Sequence, residues 1–144
     1  MPNSEASNYL ATTKKQQGWR HIPPRQLFLI DGLGALLSAF MLGIVLVQLE
    51  SYFGMPRPLL YRFAGIALVF SSYSLICYWR LKQRWNVYLF LIAFANLSYC
   101  CLTGVYLLLL WDQLTILGLF YFIIEILIVV LLAGIEISVA ARSK

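Results

Sequence analysis

The sequence predicts an all-α membrane protein: an antiparallel four-helix transmembrane bundle with its N- and C-termini cytoplasmic. Three observations lead there. Hydrophobic residues fill 61% of the 144 positions and charged residues 12%, a balance outside the range of water-soluble domains. The apolar residues gather into four runs, each near the ~20 residues that a helix rising about 1.5 Å per residue needs to cross about 30 Å of hydrocarbon. The basic residues are spread very unevenly over the polar connections, which sets orientation under the positive-inside rule.

Residues 1–26 read as a flexible basic tail, rich in Ser, Asn, Thr and Gln and carrying Lys14, Lys15, Arg20 and Arg25. Pro23 and Pro24 hold its end extended. The first apolar run is long enough to span and a polar loop follows it, so it is expected to be an anchor and not a cleaved signal peptide. The four-helix domain occupies 27–142, with spans expected at about 27–49, 59–79, 87–110 and 114–139. Gly54, Pro56 and Pro58 break the chain after the first span, and Arg80, Lys82 and Arg84 mark the next connection. A short polar tip around Asp112 joins the third and fourth spans as a tight helical hairpin. Tyr52, Trp79, Trp85 and Trp111 fall at the ends of spans, where aromatic rings favour the headgroup level. Four spans put Lys14, Lys15, Arg20, Arg25, Arg80, Lys82, Arg84, Arg142 and Lys144 on one side and only Arg57 and Arg62 on the other.

Polar groups inside the spans are the candidate functional residues, because a carboxyl in hydrocarbon costs a few kcal/mol and is tolerated facing a bundle interior or a wet cavity. Glu125 lies near the middle of the fourth span. It shares a helical face with Gly118, Tyr121, Val129, Leu132 and Glu136, and that face is expected to be buried. Asn96, on a face of the third span with Ala93, Cys100 and Thr103, lies at comparable depth and is the expected partner of Glu125. One reading makes Glu125 a hydrogen-bonded clasp between helices, held by Asn96 or Tyr121. The other makes it a proton carrier.

Asp31 is the second intramembrane candidate, on one face with Gly34 and Ser38, and it is expected to complement the start of the first helix and pair with Arg25 or Arg80. Glu136 is expected to pair with Arg142 or a loop cation. Gly32, Ala35, Ala39 and Gly43 form a small-residue packing stripe that lets another helix approach closely. Ala64, Ala67, Ser71, Ser74 and Tyr78 line one side of the second span as packing contacts.

The cysteines Cys77, Cys100 and Cys101 and the single His21 form no metal motif and no thiol catalytic set. No cofactor, metal or catalytic residue is expected, and a nucleic-acid surface is not either. The expected partners are the lipid bilayer and, within it, further copies of the chain or a larger membrane protein. The favoured functional reading is a non-enzymatic helix-packing or assembly component in a cell membrane, a bacterial inner membrane by its compact build. The alternative is a proton- or ion-coupled small transporter or channel that uses Glu125.

Overall fold

The computed structural model describes residues 23–80 and 83–142. The tail over 1–22, and with it Lys14, Lys15, Arg20 and His21, lies outside the described residues, as do Lys82 and Lys144. The described residues are helical throughout apart from short connections. Four helices are long and apolar enough to cross a membrane: α1 (Pro24–Leu46), α3 (Arg57–Arg80), α4 (Trp85–Leu109) and α5 (Ile116–Ala141). A one-turn helix, α2 (Glu50–Phe53), lies in the first connection.

α1 starts at Pro24, three residues before the expected Leu27, because proline at a first helical position supplies the right φ and lacks only an N–H that has no partner there anyway. Its last part, Met41–Leu46, is π-helical. Such a turn holds an extra residue and rotates the side chains beyond it about the axis. Gly43 sits inside it, and a Cβ there would stand 3.2 Å from the Ala64 Cβ, so the two helices are already at close approach.

α1 packs most extensively on α3, and α4 on α5, with much thinner contact between the two pairs. Small residues make the first pairing possible. A Cβ at Gly32 would lie 2.9 Å from the Leu75 side chain, and the Ser71 hydroxyl donates to the Gly32 carbonyl at 2.8 Å. Ala64, Ala67, Ser71 and Ser74 are buried on the facing side of α3. At one end, Leu42, Leu46, Met55, Leu60, Phe63 and Phe122 form an apolar core, with Phe63 edge-on to both Tyr99 and Tyr106. At the other end, Leu27, Phe28, Leu89 and Ile92 form a second core. The outward faces are apolar as well: only 22% of the most apolar stretch of α5 is buried.

The connections beyond α1 and α4 interlock. Glu50 accepts from the Arg57 side chain at 2.6 Å, bracing the turn around Gly54, which takes a left-handed φ of 74°. The Thr115 hydroxyl caps α5 by accepting from the Gly118 N–H at 3.1 Å and donates to the Tyr52 carbonyl. That cap sets the start of α5 at Ile116, two residues after the expected Leu114.

Candidate functional site

The intramembrane polar residues fall into two linked groups. In the first, Asp31 is 3% exposed, about two turns inside α1. Its Oδ1 accepts from the Asn96 amide at 2.7 Å and its Oδ2 from the Ser74 hydroxyl. Three helices therefore meet on one carboxyl. Glu136 lies behind this cluster, in electrostatic contact with Asp31 and beside Asn96. It is wholly buried, and neither of its oxygens has a hydrogen-bond partner.

The second group centres on Glu125 of α5, 7% exposed. Its Oε1 accepts from the Tyr99 hydroxyl at 3.5 Å, a long bond, and the Ser38 hydroxyl lies alongside. Its Oε2 has no partner. Between the groups runs a cavity of about 290 Å³, lined on α1 by Asp31, Ala35 and Ser38, on α3 by Ala67 and Phe70, on α4 by Asn96 and Tyr99, and on α5 by Tyr121, Glu125 and Val129. It occupies the space left where the two helix pairs touch only thinly.

All five residues singled out from the sequence as intramembrane candidates, Asp31, Ser38, Asn96, Tyr121 and Glu125, line this one cavity. Several of the expected pairings are different. Asn96 does not bond Glu125: its amide turns to Asp31, and Tyr99, three residues on along the same helix, reaches Glu125 instead. Tyr121 is half-buried in the cavity wall and makes no hydrogen bond to Glu125 among the described contacts. Asp31 meets neither Arg25 nor Arg80. Arg25 spends its guanidinium on the α3 terminus, donating to the Tyr78 carbonyl at 3.0 Å and lying 4.9 Å from the Tyr78 ring centroid, where a cation complements the negative end of a helix. Glu136 does not pair with Arg142, which is exposed while the carboxyl points inward.

The packing stripe divides. Gly32, Ala39 and Gly43 are turned into the bundle, with Gly32 and Gly43 held against α3 of the same chain, while Ala35 is half-buried at the cavity. Three members of the site were not singled out from the sequence. Ser74, expected as a packing contact, carries its hydroxyl on the α3 face that meets Asp31. Tyr99 and Phe70 carry no expectation from the sequence. The signal that could have found Tyr99 is its spacing of one helical turn from Asn96.

Asp31, Glu125 and Glu136 share one property: none meets a Lys or Arg side chain among the described residues, whose ion pair is Arg57–Glu50 in the connection between α1 and α3. No group of three His, Cys, Asp or Glu side chains among the described residues is placed to hold a metal ion. The cavity is thus a largely apolar chamber whose walls carry two carboxyl groups, Asp31 and Glu125. No family model, curated protein or solved structure matches this chain.

Proposed function

We propose that this chain is a multi-pass membrane protein that carries protons or small cations at Glu125. One observation carries the reading: Glu125 is buried, it is held only by a long bond from Tyr99 and by contact with Ser38, and it lines a cavity that also reaches Asp31. A carboxyl whose task was to hold helices together would have both oxygens engaged, since an unmade hydrogen bond in the interior costs about 1–3 kcal/mol. A carboxyl that takes up and releases a proton or cation gains from such loose bonding, which leaves few donors competing for its oxygens. The protein acts without covalent catalysis in this reading.

The same reading takes the helices as an antiparallel bundle with both termini in the cytoplasm of a bacterial cell whose inner membrane it spans. The contacts Gly32 to Leu75 and Gly43 to Ala64, which run in opposite directions along α1 and α3, support the first point. The division of basic residues, with only Arg57 and Arg62 on the outer side, supports the second.

The test is an infrared measurement of the carboxyl C=O band in reconstituted protein, with proton flux followed in the same vesicles. Glu125→Gln is expected to remove a band that in the natural protein shifts promptly on transfer to deuterated water, and to remove proton flux. A band that ignores deuterated water for hours, together with full flux through Glu125→Gln vesicles, would sink the reading.

A second reading, a helix-packing component that works by assembling with copies of itself or with a larger membrane protein, has a different support. Gly32 and Gly43 are taken up within the chain, but the seam between α1 and α5 leaves Leu37 and Ile128 57% and 60% exposed at the cavity edge, where a second copy would close it. The particle mass in detergent decides: a complex larger than one chain is expected, and a strictly monomeric particle removes this reading.

A further inference from the structure

The cavity has a definite chemical character beyond its capacity to hold a proton. Its charged groups are all acidic, Asp31 and Glu125, with no basic residue on its walls. An anion or a fatty acid would meet uncompensated repulsion there. Three aromatic rings from three helices, Phe70, Tyr99 and Tyr121, stand on the same walls, with the Phe70 and Tyr99 centroids 6.4 Å apart. The remaining surface is largely aliphatic. An inorganic cation such as calcium or magnesium takes about six or more oxygen ligands, and this chamber does not gather them. A sugar would need a dense set of hydrogen-bonding groups that aliphatic walls do not supply.

What fits two carboxyl groups and three aromatic side chains on largely apolar walls is a positively charged nitrogen on a compact hydrocarbon body. Rings attract such a charge through their negative faces, and quaternary ammonium groups are recognised in aromatic cages for this reason. A cavity of about 290 Å³ is at the lower end of the range for small-molecule sites, which favours a small ligand. The route in is lateral. α1 and α5 touch only thinly, and Leu37, Ile124 and Ile128 line the cavity while remaining exposed on the outer face.

We infer that this cavity binds a small lipophilic ammonium ion, a protonated amine or a quaternary ammonium with an apolar body, which enters from the bilayer between α1 and α5 and is held by Glu125 within the rings of Phe70, Tyr99 and Tyr121. The inference rests on Glu125 being the exchangeable group of the proposed function and names what exchanges with its proton. The charges balance: when the carboxyl is protonated beforehand, one ammonium bound sends one proton to solvent, and no covalent bond forms or breaks beyond that O–H.

The experiment uses the full chain in nanodiscs and radiolabelled benzyltrimethylammonium as the probe, with neopentylbenzene, its uncharged carbon isostere, as competitor. Saturable binding is expected, poorly displaced by the isostere, and weakened about tenfold or more by Glu125→Gln and by Tyr121→Leu. Asp112→Asn, at the exposed hairpin tip, is expected to bind as the natural chain does. Should Glu125→Gln fail to fold, Glu125→Asp keeps the charge and is expected to bind with reduced affinity. Absence of saturable binding, equal displacement by the isostere, or indifference to the Glu125 variants overturns the assignment. No binding beside a Glu125 band that exchanges with deuterated water overturns the ligand class and leaves proton carriage standing. Binding beside a Glu125 band that never exchanges upholds the ligand class and removes proton carriage.

Discussion

Gly118→Ala is expected to destabilise the protein by about 3 kcal/mol, a loss of the kind seen when atoms are forced into a filled interior. By helix propensity alone the substitution should help, by up to about 1 kcal/mol. The geometry reverses the sign. A Cβ on Gly118 would stand 2.1 Å from the Phe53 carbonyl oxygen and 3.0 Å from its carbon. Those are backbone atoms, and they are tied down, because Thr115 bonds the neighbouring Tyr52 carbonyl and Gly54 turns the chain in the left-handed region. Relief would require α2 to lift off the start of α5. Gly134→Ala, on the same helix with nothing within 4 Å of its Cβ position, is the control and should be neutral or slightly stabilising. Unfolding in mixed micelles, followed by circular dichroism, measures both, and a Gly118→Ala protein as stable as the natural chain would show that α2 does not seat against α5 as described.

The second large effect is a contrast of opposite signs between two buried polar residues. Glu136→Met is expected to stabilise the protein by about 1–3 kcal/mol, since it removes a wholly buried carboxyl with neither oxygen bonded and leaves a side chain of similar length in its place. Asn96→Leu is expected to destabilise by about 1 kcal/mol or more, because it strips the Asp31 Oδ1 of its donor and leaves a polar atom unpaired. It also removes the one side chain that ties α4 to the α1 carboxyl. The same micelle titration reads both variants, and a Glu136→Met protein that unfolds earlier than the natural chain would mean that contact with Asn96 holds the carboxyl favourably in place.

Residue by residue, the legible features are those that depend on one helix at a time. The four helices were readable because hydrocarbon leaves the backbone one solution within a span, so a run of apolar residues specifies a helix without reference to anything else. The depth of Glu125 follows from counting along α5. Its face with Gly118 and Glu136 follows from helical periodicity, and all three are buried. The start of α5 lies two residues beyond the expected Leu114 because Thr115 acts as a cap only where Gly118 and the α2 backbone are both beside it. The π-helical Met41–Leu46 carries no periodic signature of its own.

Composition and the runs of apolar residues are enough to give the class of the protein, the number of its long apolar helices and the polar residues that need an explanation inside them: Asp31, Ser38, Asn96, Tyr121 and Glu125. Lipid acts on each helix separately, so one-dimensional information suffices for that much. Which carboxyl meets which donor follows from how the helices pack. Asn96 reaches Asp31 and not Glu125, Tyr99 takes the place expected for Asn96, and Glu136 lies beside Asp31 and Asn96 and not against Arg142. Those outcomes depend on how each helix is rotated about its axis and on the close fit of Gly32 and Gly43 against α3, which holds α1 to one pair of helices and leaves the cavity open against the other. Rotation is set by contacts between helices distant in sequence, and no pattern along a single helix records it.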